Sequence, residues 1–299
     1  MALTLIALYY YVCDCYDKQV RWQVQRFSSN KLEGQISDEE LLTIYLFCVA
    51  YQEKTTLRSM HRYMHQHWAT YFPNLPAYQT FGNRINRLAD AFPVLIKQLI
   101  TDLGVGEQDA QVLLVDSMPI ITCSAKRQPK VALELVDKTY CASKGFYYHG
   151  VKLHLLGQRR SGSLPLPYAL GITPASAHDL TCLRPVLGQL SEKIIVADKA
   201  YADQKLRAQV IDQQQIELLT PVKGVKNKPE SLVHFDQASN DLFSRAVSSL
   251  RQPIESFFSW LQHKTQLQLA SKVRSTLGLK VHVFGKIAAA LCILIKFNP

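Results

Sequence analysis

Gln111–Asp116, QVLLVD, and Lys193–Asp198, KIIVAD, decide the fold of this chain. Each is a short unbroken apolar run, as expected of a strand buried on both faces, and each stops at an aspartate. Residues 146–156, FYYHGVKLHLL, alternate instead, with Val151, Leu153 and Leu155 on one face and Lys152 and His154 on the other. Tyr168–Thr173 and Ile216–Val222 also read as strands, and Ala202–Gln214 reads as a helix. The expected order is three strands, a helix, a strand, a helix, a strand and then helices. That order implies an α/β fold with a mixed sheet flanked by helices.

Upstream of QVLLVD the texture is helical to about residue 106. Ser37 and Glu40 form an S-x-x-E capping box ahead of Leu41, Leu42, Ile44, Tyr45 and Phe47. Helical patterns continue through Leu57–Trp68 and Tyr78–Leu88. The polar, glycine-containing stretch 101–109 is the candidate boundary. Two domains are therefore expected: an all-helical one over 1–106, and an α/β one with C-terminal helices over 107–299. Arg58, Arg62, Arg84 and Arg87 on the first domain suggest a surface for DNA ends, against a packing or dimerisation lobe.

Lysine and arginine outnumber acids by 34 to 24, a net charge of +10. Such a surplus favours a polyanionic partner, most simply nucleic acid. Seven cysteines are scattered without a C-x-x-C pair, which excludes a disulfide or zinc framework and suits a reducing cytoplasm. The apolar stretch Leu3–Cys13 lacks a basic n-region. Leu277–Phe297 is interrupted by Lys280, His282 and Lys286, so no clean apolar span of about 20 residues is expected, and both stretches read as packed helices of a soluble protein. No Gly-x-Ser-x-Gly elbow or phosphate-cradling glycine loop is present, which argues against other hydrolase classes.

Asp116 and Asp198 would converge if their strands are neighbours, because functional groups gather at the carboxyl edge of such sheets. Glu255 offers a third acid, in RQPIESFFSWL (251–261). There Val247, Leu250, Ile254, Phe257, Phe258 and Leu261 form the inward stripe, and Arg251, Glu255 and Ser259 a polar face. Pro253 must lie in a first turn or at a kink. Clustered carboxylates repel one another, so three together suggest hard divalent cations and phosphodiester chemistry. Singly, each acid reads as readily as a turn, cap or solvated residue. His178 and Asp179, between the third strand and the next helix, read as a cap of that helix, with Asp179 before Leu180 and Leu183, rather than as groups supporting the acids. The lysines near these motifs (Lys144, Lys152, Lys199, Lys223, Lys226 and Lys228) read equally as phosphate contacts or as a solvated face.

Several strings taken together resemble one bacterial family: DSMPI (116–120), YCASKGFYYHGVKLH (140–154), AHD (177–179), ADKAY (197–201), LTPVK (219–223) and RQPIESFF (251–258). They are similar to DDE transposases of insertion sequences, most closely the insertion-sequence family numbered 982. The resemblance runs from about residue 110 to the end, and more loosely over the helices before it. It implies an RNase H-like core in which Asp116, Asp198 and Glu255 are catalytic and hold two Mg²⁺ ions, with Mn²⁺ able to substitute. It further implies cleavage at the inverted-repeat ends of an element, joining to target DNA by the freed 3′-hydroxyl, and a homo-oligomer holding two ends of double-stranded DNA. Arg251 matches a DNA-contacting arginine, and Lys264 lies near the lysine of a Tyr-Arg-Glu-Lys signature. The sequence departs from that pattern at Ala200, where many relatives have glycine, at Ser248, where those with the signature have tyrosine, and in the spacing to Lys264. The rivals are a nuclease of the same fold that never joins strands and a non-catalytic DNA-binding repressor.

Overall fold

The computed structural model describes residues 1–24, 36–103, 111–141, 144–222 and 230–295, with backbone alone over 230–239. They form two compact units: residues 1–104, 121–136 and 261–299, and residues 105–120 and 137–260. The units interleave along the chain rather than following one another, and the C-terminal helices group with the N-terminal ones. Most of the candidate boundary at 101–109 lies outside the described residues.

The sheet-bearing unit holds β1 (Val112–Ser124) as far as residue 120, β2 (Asp137–Cys141), β3 (Phe146–Gln158), β4 (Leu166–Pro174), α6 (Asp179–Leu187), β5 (Ile194–Val196), α7 (Gln204–Gln214), β6 (Glu217–Leu219) and most of α8 (Glu230–Thr265). The strand order is β2-β3-β1-β5-β6, with β4 paired to β3. β1, β5 and β6 run parallel, whereas β2–β3 and β3–β4 are antiparallel. The mixed sheet flanked by helices is therefore present, with one strand more than expected. β2 escapes pattern reading because DKTYC is short and opens with two charged residues, as suits a strand at the sheet edge.

Leu113, Val115, Ile195, Ala197 and Leu218 from the parallel strands pack with Leu183 and Leu187 of α6 and Leu206 and Val210 of α7. Leu114 and Val196, on the opposite face of the pleat, are also buried, so both faces are covered. Gly150 marks a close approach of β3 to β1: a Cβ there would lie 2.0 Å from the Ile120 carbonyl oxygen. Only glycine fits that crossing.

The helical unit contains α1 (Ala2–Lys18), α2 (Asp38–Gln52), α3 (Leu57–His67), α4 (Tyr78–Arg87), α5 (Ala91–Asp102), α9 (Thr276–Lys280) and α10 (Lys286–Ile295). The Ser37–Glu40 capping box forms in both directions. From Leu41 to Val49 every residue of α2 is buried, so α2 is a core helix packed against α1 and α10. Arg84, one of the arginines suggested for DNA ends, is buried. It donates to the Ile36 carbonyl at 2.6 Å and to Asp38 at 2.7 Å, so its fork serves the start of α2.

The C-terminal stretch is a packed helix as expected, but not an interrupted one. Lys280, His282 and Lys286 do not interrupt it: Thr276–Ile295 is one helical run, long and apolar enough to cross a membrane by length and composition. Most of it is buried, as in a core helix. Its polar groups are absorbed locally. The His282 ring Nε2 lies 2.8 Å from the Leu267 carbonyl, and Lys286 Nζ donates to the Gln266 carbonyl at 3.2 Å.

Candidate active site

The two aspartates meet because the parallel register brings them level. Val112, Leu113 and Leu114 of β1 pair with Ile194, Ile195 and Val196 of β5. Carried two residues onward, the same offset sets Asp116 beside Asp198. Asp116 is not the end of its strand, since β1 continues to Ser124, but it stands just beyond the last rung shared with β5. Val115 and Ala197 point into the α6–α7 core, so pleating turns Asp116 and Asp198 to the other face. The Ser117 N–H donates to Asp116 Oδ1 at 2.8 Å, and the Lys199 N–H donates to Asp198 Oδ1 at 2.6 Å.

Helix α8 supplies the rest. It runs through Pro253, which lies in the helix interior and not in a first turn, and which leaves the Ser249 carbonyl without its helical donor. Val247, Ile254, Phe257, Phe258 and Leu261 are buried, as the stripe predicts. Arg251 and Glu255, one turn apart on the polar face, form an ion pair. The same guanidinium reaches Asp198 Oδ1 at 3.0 Å through Nη1 and Asp116 Oδ2 at 3.7 Å through Nη2. Acids from β1, the end of β5 and α8 thus converge on one cation. Arg251 Nε is buried without a partner.

Burial pushes the Asp116 carboxyl up to about 6; Arg251 and the Ser117 N–H pull it down, while Asp198 and Glu255 push it further up. A buried carboxylate with two anionic neighbours needs a cation. Three hard oxygen donors suit Mg²⁺ or Mn²⁺ in kind. In position, the oxygens surround the guanidinium, and among the described residues no group of three His, Cys, Asp or Glu side chains is arranged around a common metal position.

The other candidates are placed as follows. Lys199 is exposed beside Asp198, and Lys144 is exposed at the turn between β2 and β3. Lys152 is engaged within the protein: its Nζ donates to Asp179 Oδ1 at 3.1 Å and to the Ala177 carbonyl at 2.9 Å. Lys264 belongs to the helical unit, and Lys223, Lys226 and Lys228 lie outside the described residues. Of the pair expected to cap α6, His178 does so, its Nδ1 accepting from the Leu180 N–H, whereas Asp179 is drawn to Lys152.

Pattern reading missed the cluster that Asp179 builds. His154 lies with Nδ1 3.9 Å from Asp179 and Nε2 2.8 Å from Thr173 Oγ1, and burial holds its imidazole below the usual range. The β3 alternation had put Lys152 and His154 on one face, but nothing in the spacing indicated Asp179 as their partner. The hydroxyl of buried Tyr201, in the turn after Asp198, has no hydrogen-bond partner.

With this geometry in hand, comparison with known proteins gives two findings. The family described as "Transposase DDE domain" matches residues 107–293. The solved "Mos1 transposase paired-end complex with left transposon end" aligns over 82% of this chain and 87% of its own, at 10% identity and a TM-score of 0.23, a similarity too slight to establish a shared fold. No curated protein matches the chain.

Proposed function

The chain belongs to the family of transposase DDE domains, and on that premise we propose that it cuts and joins DNA strands at Asp116, Asp198 and Glu255. The observation that carries the reading is the convergence of these three acids, from three separate elements, on one cation at the end of a parallel ladder. An assembly of like charges, with one of them largely buried, is costly to maintain for stability alone. The order β4-β3-β1-β5-β6, antiparallel between β3 and β4 and parallel beyond β1, supports an RNase H-like core.

The three carboxylates would hold divalent ions, Mg²⁺ or Mn²⁺, which when bound neutralise phosphate charge and activate an oxygen nucleophile. The chain's own residues do the positioning. The Ser117 and Lys199 amides each hold one carboxylate oxygen, Asp116 Oδ1 and Asp198 Oδ1, and so fix how the two aspartates are oriented. Lys199 and Lys144, both exposed, suit contacts that hold a phosphate backbone without reading sequence. Lys264 and Lys223 complete the basic set under this reading. Lys152 is a weaker member, because Asp179 already holds it.

The substrate would be double-stranded DNA, the inverted-repeat ends of an element related to the family numbered 982 together with target DNA, met in the cytoplasm. A homo-oligomer would hold two ends, with the helices of residues 1–106 supplying end recognition or dimer contacts. The test is strand transfer with a labelled element end bearing a free 3′-hydroxyl. The expected result is a joined product from the wild type and none from Asp116→Ala. Hydrolysis without joining would favour the nuclease, and equal behaviour of the two proteins would favour the repressor.

A further inference from the structure

Arg251 sits where the acids need positive charge, and it engages the oxygens that would ligate metal: Asp116 Oδ2, Asp198 Oδ1 and Glu255 Oε1. We propose that Arg251 is an internal latch, a guanidinium that closes the carboxylate site in the metal-free protein and must swing out before divalent ions are held. The proposal rests on reading the three acids as metal ligands, and adds how access to them is controlled.

Three observations carry it. First, the engagement competes with metal: a guanidinium lodged among these three carboxylates repels a hard cation brought to the same oxygens. Second, the acids are spread around the fork and not around a point, so a metal requires them to close up after the fork has left. Third, the latched state is incomplete. Nε is buried with no acceptor, and such an unpaired donor offsets part of what the ion pairs contribute. Pro253 removes one backbone hydrogen bond between the turn bearing Arg251 and the residues after it, which eases local movement. The anion suited to draw the fork away is a phosphodiester, which accepts guanidinium in bidentate fashion. DNA arrival and metal entry would then be coupled, and the site would stay closed until a strand is present.

The test is Mn²⁺ binding to the full-length, metal-stripped protein without DNA, read from the free-ion electron paramagnetic resonance signal. Arg251→Gln should bind Mn²⁺ on the order of ten-fold more tightly than the wild type, within the range usual for coupled sites. Arg251→Lys keeps the charge but loses the fork, so it should fall between them; circular dichroism checks that each variant is folded. Adding Asp116→Asn to Arg251→Gln should abolish the gain. Equal or weaker binding by both Arg251 variants, with Asp116→Asn still weakening it, would overturn the latch and leave the three-acid site standing. Binding indifferent to Asp116→Asn in every background would overturn the three-acid reading and the latch with it.

Discussion

Arg251 in the sheet-bearing unit and Lys286 in the helical unit are both cations withdrawn from water, but they are surrounded very differently. Arg251 has three carboxylates about it, drawn from β1, the end of β5 and its own helix. Lys286 is 2% exposed and, among the described residues, makes no ion pair; its amine meets the Gln266 carbonyl. Burial pushes that amine down to about 7, so the helical core accommodates the group by lowering its charge. At the ladder end charge is gathered and kept, against the tendency of like charges to separate. The contrast separates a polar group that a core tolerates from a cluster with a chemical task.

The largest expected effect comes from breaking the gathered side. Asp116→Ala should lower strand transfer by about 10²–10³-fold or more, the usual range for deleting a group that stabilises transition-state charge. Circular dichroism should show an unchanged fold. A folded Asp116→Ala protein with near-normal transfer would reduce the ladder-end cluster to a structural ion network.

Gly150→Ala probes the frame that levels the two aspartates. Its Cβ would meet the Ile120 carbonyl oxygen of β1, so the strands must shift, at roughly 1–3 kcal/mol or somewhat more in urea unfolding. Transfer should fall with it, since Asp116 lies four residues before Ile120 on the same strand.

Lys286 tests the tolerated side through pH. Its folded amine releases a proton near 7 and its unfolded one near 10.5, so between those values the unfolded chain binds the extra proton. Stability should therefore rise with pH across that window, by about 2 kcal/mol between pH 7 and 9. Neighbouring His282, pushed down to about 3 by burial and by Lys286, has the same sign: stability should fall as pH drops from 6.5 toward 3. Lys286→Met should flatten the alkaline rise and shorten the acid limb without abolishing it, because burial is the larger cause of the His282 shift. An unchanged alkaline rise in that variant would show that Lys286 is not its source.

The smallest effect concerns the start of α2. Ser37→Ala removes one half of a reciprocal cap and should cost about 1 kcal/mol in thermal or urea unfolding, with strand transfer unaffected.

Why some of this was legible in the sequence follows from range. QVLLV and KIIVA announce buried parallel strands because burial on both faces demands unbroken apolar runs, and the Ser37 box is written within four residues. The α8 stripe is likewise local, and it places Arg251 and Glu255 on one face. What escaped depends on partners distant in sequence. β2 is defined by pairing with β3, because its own residues are mostly polar and show no apolar run. Asp179 looks like part of a cap until Lys152, on another strand, draws it away and leaves the capping to His178. The central position of Arg251 depends on a register between β1 and β5 that no spacing along the chain encodes. The C-terminal run misled for the opposite reason: three polar residues looked like interruptions, but backbone carbonyls accommodate two of them.

The most direct measurement is anomalous scattering from crystals of the full chain bound to a DNA end with a free 3′-hydroxyl and soaked in Mn²⁺. The predicted result is Mn²⁺ density in contact with Asp116, Asp198 and Glu255, with the Arg251 guanidinium withdrawn from all three. DNA bound without Mn²⁺ at these carboxylates, or Mn²⁺ held by other residues, would contradict the assignment of the active site.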